Sequence, residues 1–253
     1  MEKLAVHNVR LLAEKVENHE AFQLASKMGF EYFQGYFFSK PQIMEGKDIA
    51  PSKLGLLQII AEVNKEDFRF EELEKLIVRD VSTSYKLMRY INSAYFRRVQ
   101  EISSVKQAIV LLGEKEIRRF VSLIALAQLA TDKPDELIRA SIIRARFCEL
   151  LGKCIVGKDE SELFTVGLFS LIDAILDNTM ANIMEKLPFS RAIKAALVAN
   201  EGELADYLYL VSCYEDGDWK AVSEMVTRIG VSEEKIPAFY MDAIGWADSY
   251  EVD

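Results

Sequence analysis

Histidine is nearly missing from this chain: His7 and His19 are the only two in 253 residues. No imidazole is therefore available past residue 19 to ligate a metal or serve as a general base. Cysteine is scarce too. Cys148, Cys154 and Cys213 show no CxxC spacing and sit in apolar helical surroundings, which favours packed thiols over a zinc or dithiol redox motif. The longest nearly apolar run, Phe120 to Ala130, is broken by Ser122 and Gln128 and falls short of the roughly 20 residues of a membrane span. Met1 to Arg10 lacks the basic, apolar, small-residue progression of a secretory signal, so the expected compartment is the cytoplasm. A surplus of positive charge is also lacking. The net charge of -9 and pI of about 5.0 disfavour general binding to nucleic acid or to anionic membranes. GxSxG, Walker and GxGxxG motifs do not occur, which leaves a nucleophile elbow or a glycine-rich phosphate cradle without a candidate.

What the chain has is apolar residues at 50%, enough for a substantial core, in patterns that change once along its length. Up to Pro41 two short period-two stretches flank a helical one; afterwards the period is helical throughout. Gln42 to Pro51, with Gly46, Asp48 and Pro51, reads as the linker, which divides the chain into 1–46 and 47–253. Helices are expected from Ser52 to Asn64, from Glu71 to Arg79 and from Ser82 through Ile91. Ser103 and Ser104 cap a further helix that Gly113 stops, before a long one from Glu114 to Ala130. Pro134 opens the next, and others follow at Glu160 to Leu176, Met180 to Leu187, Arg191 to Ala199, Leu204 to Tyr214, Trp219 to Ile229 and Glu233 to Ser249.

The first segment reads LLAEKVE at Leu11 to Glu17 and YFQGYFFSKP at Tyr32 to Pro41. This order resembles the closing segment of the EAL domain, the cyclic-di-GMP phosphodiesterase fold. The resemblance implies that Glu14 helps organise a metal site and that Gln34 sits nearby. Lys15 replaces the glycine usual after that Glu. The acidic metal ligands and the basic Lys of such enzymes lie on earlier strands, and about 40 residues cannot close a barrel. Residues 1–46 are thus expected to be a strand, helix, strand remnant with Glu14 and Gln34 as vestigial positions.

Two later stretches, RDVSTSYKLMRYINSAYF and EISSVKQAIVLLGEKEIRRFVSL, resemble the HDOD domain, a helical relative of the HD phosphohydrolases found in bacterial signalling proteins. The likeness runs from Lys53 to about Tyr214. Within it Asp80 can cap a helix, Leu87 and Met88 face the core, and Asn92 and Ser93 can close the helix end. HD chemistry needs imidazole and carboxylate ligands on a divalent metal. Matching GLFSLID to the family's GLLHDIG puts Ser170 and Leu171 at the HD dyad, and RASIIRA puts Ala140 at another ligand position. All three ligands are lost. Asp173 and Asp177 lie four apart, without a third ligand, and read as a hydrated surface or a cap.

The expectation is therefore a mainly α, HD-like (HDOD) irregular helical domain preceded by a short β-α-β remnant. It is expected to be no enzyme, with no catalytic residue, metal or cofactor, and to serve as a regulatory module in cyclic-di-GMP-related signalling. A protein partner is expected and a homodimer is possible; binding of cyclic-di-GMP by this chain is not expected. Arg118 and Arg119, with Arg89, Arg97 and Arg98, could form a basic patch, and Trp219 and Trp246 could anchor an interface or complete the core. The rival reading is a nucleotide sensor whose degenerate EAL part binds cyclic-di-GMP and signals through the helical domain.

Overall fold

Leu12 and Ala13 form β1, which pairs in parallel with β2, Tyr32 and Phe33, across α1 (His19–Lys27). The computed structural model describes residues 9–16, 19–35, 49–65, 67–92, 102–155, 157 and 159–248. Past β2 the amide of Gln34 donates to Ala13 O at 2.7 Å and that of Val16 to Gln34 O at 3.0 Å, so the pairing outlasts the strands. Gly35 lies so close to Val16 that a Cβ would approach its carbonyl oxygen to 2.3 Å. Lys15 has φ 56, the left-handed conformation that costs a non-glycine residue roughly 1–2 kcal/mol, which gives a backbone reason for a glycine there. Phe22 and Phe33 pack with ring centroids 4.7 Å apart and tie α1 to the sheet. Glu17, Tyr36 to Pro41, most of the linker, His7, Ser93, Arg97, Arg98 and Tyr250 lie outside the described residues.

From Ala50 the chain is helical. α2 (Pro51–Val63), α3 (Phe70–Arg79), α4 (Val81–Ile91) and α5 (Val105–Leu129) build one hydrophobic cluster around Val63, Leu73, Ile77, Leu87 and Phe120. Asp80 caps α4, accepting from Ser82 N at 3.0 Å and Thr83 Oγ1 at 2.7 Å. Asn92 closes that helix by donating to Met88 O and joins both backbone groups of Ile102, each at 2.9 Å. Ser104 caps α5 through Gln107 N. Gly113 stops the first half of α5 as expected: with φ 74 and ψ 173 it leaves helical geometry, so α5 is two helices joined at a kink, the second running on to Leu129.

The larger cluster comprises α6 (Asp135–Lys153), α7 (Glu160–Phe169), α8 (Ile172–Leu176), α9 (Met180–Lys186), α10 (Arg191–Lys194), a π-helical turn (Ala195–Ala199), α11 (Glu203–Asp216), α12 (Trp219–Ile229), a 3-10 turn (Glu233–Lys235) and α13 (Ile236–Asp248). The single helix expected over Glu160 to Leu176 breaks at Ser170 and Leu171, because Leu171 adopts φ -119 and ψ 16 and is buried. α5 is the wall between the clusters. Phe120, Val121 and Ile124 face the first, while Leu123, Ala125, Leu126 and Leu129 face the second. Such a two-sided apolar helix belongs in an interior rather than on a surface. Neither cluster includes a residue before Ile49. Among the described residues no helix is long and apolar enough to cross a membrane.

Candidate functional site

α6 and α7 cross at a glycine. A Cβ on Gly167 would lie 2.4 Å from Arg144 O and 2.6 Å from Ala145 Cα, so a side chain there would push the helices apart. The crossing sets Ser170 beside Arg144, with Nη1 3.4 Å from Oγ, while the Ser170 hydroxyl donates to Gly167 O at 2.8 Å. Ala140 stands one turn before Arg144 on the same face of α6. Leu171 turns into the main core. Around this crossing α6, α8, the π-helical turn and α11 enclose a cleft of about 460 Å³. Arg144, Ser170, Asp173, Asn200, Asp206, Tyr209 and Ser212 supply its polar lining, and Met180, Leu197 and Leu208 are among its apolar residues.

The charges of the cleft are unequal in their pairing. Arg144 grips Glu215 through Nε at 3.0 to 3.1 Å and Nη2 at 2.6 Å. Burial works against its charge, but Glu215 outweighs it and raises the guanidinium pKa further. Asp206 pairs with Arg228 at 3.0 Å. Asp173 has no ion pair among the described residues; Oδ1 accepts from Ala174 N at 2.9 Å, and burial pushes its carboxyl pKa up. Asp177, read from sequence as its companion, is instead held by Lys133 at 2.6 Å and ends α8 in the left-handed conformation. Among the described residues no three His, Cys, Asp or Glu side chains converge as a metal would need, and no metal chemistry is derived from them.

Of the described arginines read as a surface patch, Arg118 and Arg119 turn inward. Arg118 donates to Val63 O and to Lys65 O, the latter at 2.9 Å, satisfying carbonyls at the end of α2, and lies 4.4 Å over the Phe68 ring. Arg119 pairs with Glu149 and sits over Phe164 and Trp246. Glu149, with a side chain 2% exposed, also receives Arg146 at 2.9 Å and Lys153 at 2.6 Å. Burial pushes its carboxyl up, but Arg119, Lys153 and Arg146 prevail and hold it below the ordinary range. Trp246 is half-buried and packs on Phe164 at 6.0 Å, the core-completing outcome of the two left open for it, while Arg118 and Arg119 are half-buried and held against the fold rather than spread as an open basic patch. Trp219 is 61% exposed, and Arg89 is also exposed. Tyr214 and Tyr240 pack with Phe147 and complete the core. Cys148 and Cys213 are buried, the former pushed up to about 12 by desolvation, whereas Cys154 is exposed, contrary to the expectation for all three. Glu14 and Gln34 are both exposed at the ends of their paired strands.

Sequence reasoning missed Glu149, Arg144 and Glu215. One signal was available for Glu149: it stands in the run FCELL, where a charged residue flanked by apolar ones needs a partner.

The HDOD domain model matches residues 54–208, covering the α6–α7 crossing and the cleft lining except Tyr209 and Ser212. The chain belongs to the HDOD family. It is 36% identical over 239 residues to cyclic di-GMP phosphodiesterase CdgJ of Vibrio cholerae, covering 94% of this chain and 55% of that protein. It is 33% identical over 238 residues to the uncharacterized protein YuxH of Bacillus subtilis, covering 93% of this chain and 58% of that one. The chain thus spans little more than half the length of these relatives. A crystal structure of a candidate signal transduction protein from Marinobacter aquaeolei VT8 shares the fold, with TM-score 0.58 and 15% identity over 79% of this chain and 58% of that chain.

These relatives correct one expectation. The lost HD ligands at Ala140, Ser170 and Leu171 pointed to a protein that is no enzyme, but a relative aligned over nearly the whole chain is named for a phosphodiesterase activity. The physical reason is one of scope. A reading of ligand positions in the helical domain bears on that domain's metal site alone and says nothing of chemistry elsewhere in the polypeptide.

Proposed function

We propose that this HDOD protein works in cyclic-di-GMP turnover, as the C-terminal part of a phosphodiesterase whose helical domain regulates the catalytic body. The observation that carries the reading is the 36% identity to CdgJ, which extends through the strand–helix–strand unit as well as the helical domain because it covers 94% of this chain. On this reading residues 1–46 belong to an EAL-type β/α body, and residues 47–253 form the regulatory module. Two geometric features support it. A parallel pair of two-residue strands is marginal alone, since parallel sheets are normally covered on both faces. The unit also leaves Val9, Leu12, Leu24, Met28 and Tyr32 exposed, as a fragment of a larger packed body would.

Glu14 and Gln34 would then stand at the strand ends that face the reacting centre, Glu14 orienting catalytic groups and Gln34 hydrogen-bonding beside it. A protein partner bound by the helical domain, with the exposed Trp219 as its anchor, and a cytoplasmic setting are parts of this proposal. The test is hydrolysis of cyclic-di-GMP by the intact gene product with magnesium or manganese, read as linear dinucleotide by chromatography. Turnover that Glu14→Gln reduces at least about tenfold, a barrier increase of roughly 1.4 kcal/mol, supports the reading. No turnover by a folded intact protein, with or without a partner recovered from lysate, would overturn it.

A further inference from the structure

We infer that the cleft between α6, α8, the π-helical turn and α11 is a binding site for a single guanine nucleoside, with Asp173 accepting the paired N–H groups of the base. The space of about 460 Å³ lies within the range of small-ligand pockets and suits one nucleoside rather than a cyclic dinucleotide. The argument for its occupant is one of charge. Arg144 is bonded to Glu215 and Asp206 is engaged by Arg228, which leaves Asp173 as the lining carboxylate without an ion pair among the described residues, with Arg144 acting on it only at longer range. A phosphate would meet carboxylates and an already neutralised guanidinium, so the cleft is ill-suited to anions.

What a partly buried carboxylate lacks is a pair of donors, and an amidine-type N–H pair satisfies both of its oxygens at once. Guanine presents that pair at N1 and N2; adenine presents an acceptor at N1. Asn200, Ser170 and Ser212 add donors and acceptors for the rest of the base and the sugar, and Met180 and Leu197 give its ring apolar contact. The raised pKa of Asp173 is consistent with a carboxyl waiting for donors.

The inference stands apart from phosphodiesterase activity, because binding is read without turnover and survives if the protein hydrolyses nothing. The experiment is calorimetric titration of the intact protein with guanosine, inosine, adenosine and agmatine. Guanosine should bind at least about tenfold more tightly than inosine, which lacks the N2 donors, and adenosine should be weaker still. Asp173→Asn should lower guanosine affinity by about tenfold or more without lowering the unliganded Tm. Equal affinity for guanosine and adenosine, no heat with any of the four, or binding of agmatine alone would each overturn the assignment. The comparison among ligands uses the unmodified protein and holds even if the variant folds poorly.

Discussion

The strand–helix–strand unit and the helical domain treat their apolar residues in opposite ways. In the first, Val9, Leu12, Leu24, Met28 and Tyr32 are exposed, and Ala13 and Val16 are the buried apolar residues among those described. In the second, most apolar side chains join two clusters, although Val81, Val110, Trp219 and Met241 stay exposed, and even its buried charge, Glu149, is met by three cations. The contrast teaches that a local sequence can write strands and a helix without supplying the core on which they pack. Secondary structure in the unit follows its motif; its stability depends on burial that its own residues do not provide.

Four substitutions would break or sharpen this contrast. Glu149→Ala should have the largest effect, a loss of about 3 to 5 kcal/mol in urea denaturation, because Arg119, Arg146 and Lys153 would be left without their shared partner. The same group sets a pH dependence. Its folded pKa is depressed, so its contribution is complete above the unfolded value of about 4.3 and is lost as pH falls through the lower folded value. Thermal melts across the acid range should show a drop in Tm that is smaller in Glu149→Gln. Gly167→Ala should come next, at about 3 kcal/mol in the same denaturation measurement, since its Cβ would meet the backbone of α6. Asp80→Ala should remove the α4 cap and cost about 1 kcal/mol, seen as a lower urea midpoint with an unchanged slope. Leu24→Glu in α1 should change the stability of the helical domain by less than about 0.5 kcal/mol, read by hydrogen exchange in α6. A loss at Leu24 as large as that at Gly167 would show that the unit is tied into the main core after all.

The helical domain was largely legible because helix formation is signalled locally. Asp80, Ser104 and Asn92 fulfil the capping roles their positions suggest, and the boundaries of α2, α3 and α12 fall within a residue or so of expectation. The interruption at Gly113 was legible from its glycine, but the angle it sets and the break at Leu171 were not. Each is decided by where the flanking helices must go to bury their faces, and a periodic pattern carries no record of that direction. From sequence the site was read as ligand positions at Ala140, Ser170 and Leu171, and the cleft itself was illegible. Arg144 and Glu215 meet across 71 residues of sequence, and no local spacing predicts their bidentate contact. The inward turn of Arg118 and Arg119 is of the same kind, because an arginine beside apolar residues reads as surface until its carbonyl or carboxylate partner is in view.

The shared wall formed by α5 bears on how the domain comes apart. Residues 120 to 126 alternate between two cores with no face left idle, so a rotation of that helix that opened one cluster would strip the other at the same moment. Neither lobe can loosen in isolation. The two clusters are therefore one cooperative unit, and heat or denaturant should meet a single transition where the arrangement of two cores would suggest a pair.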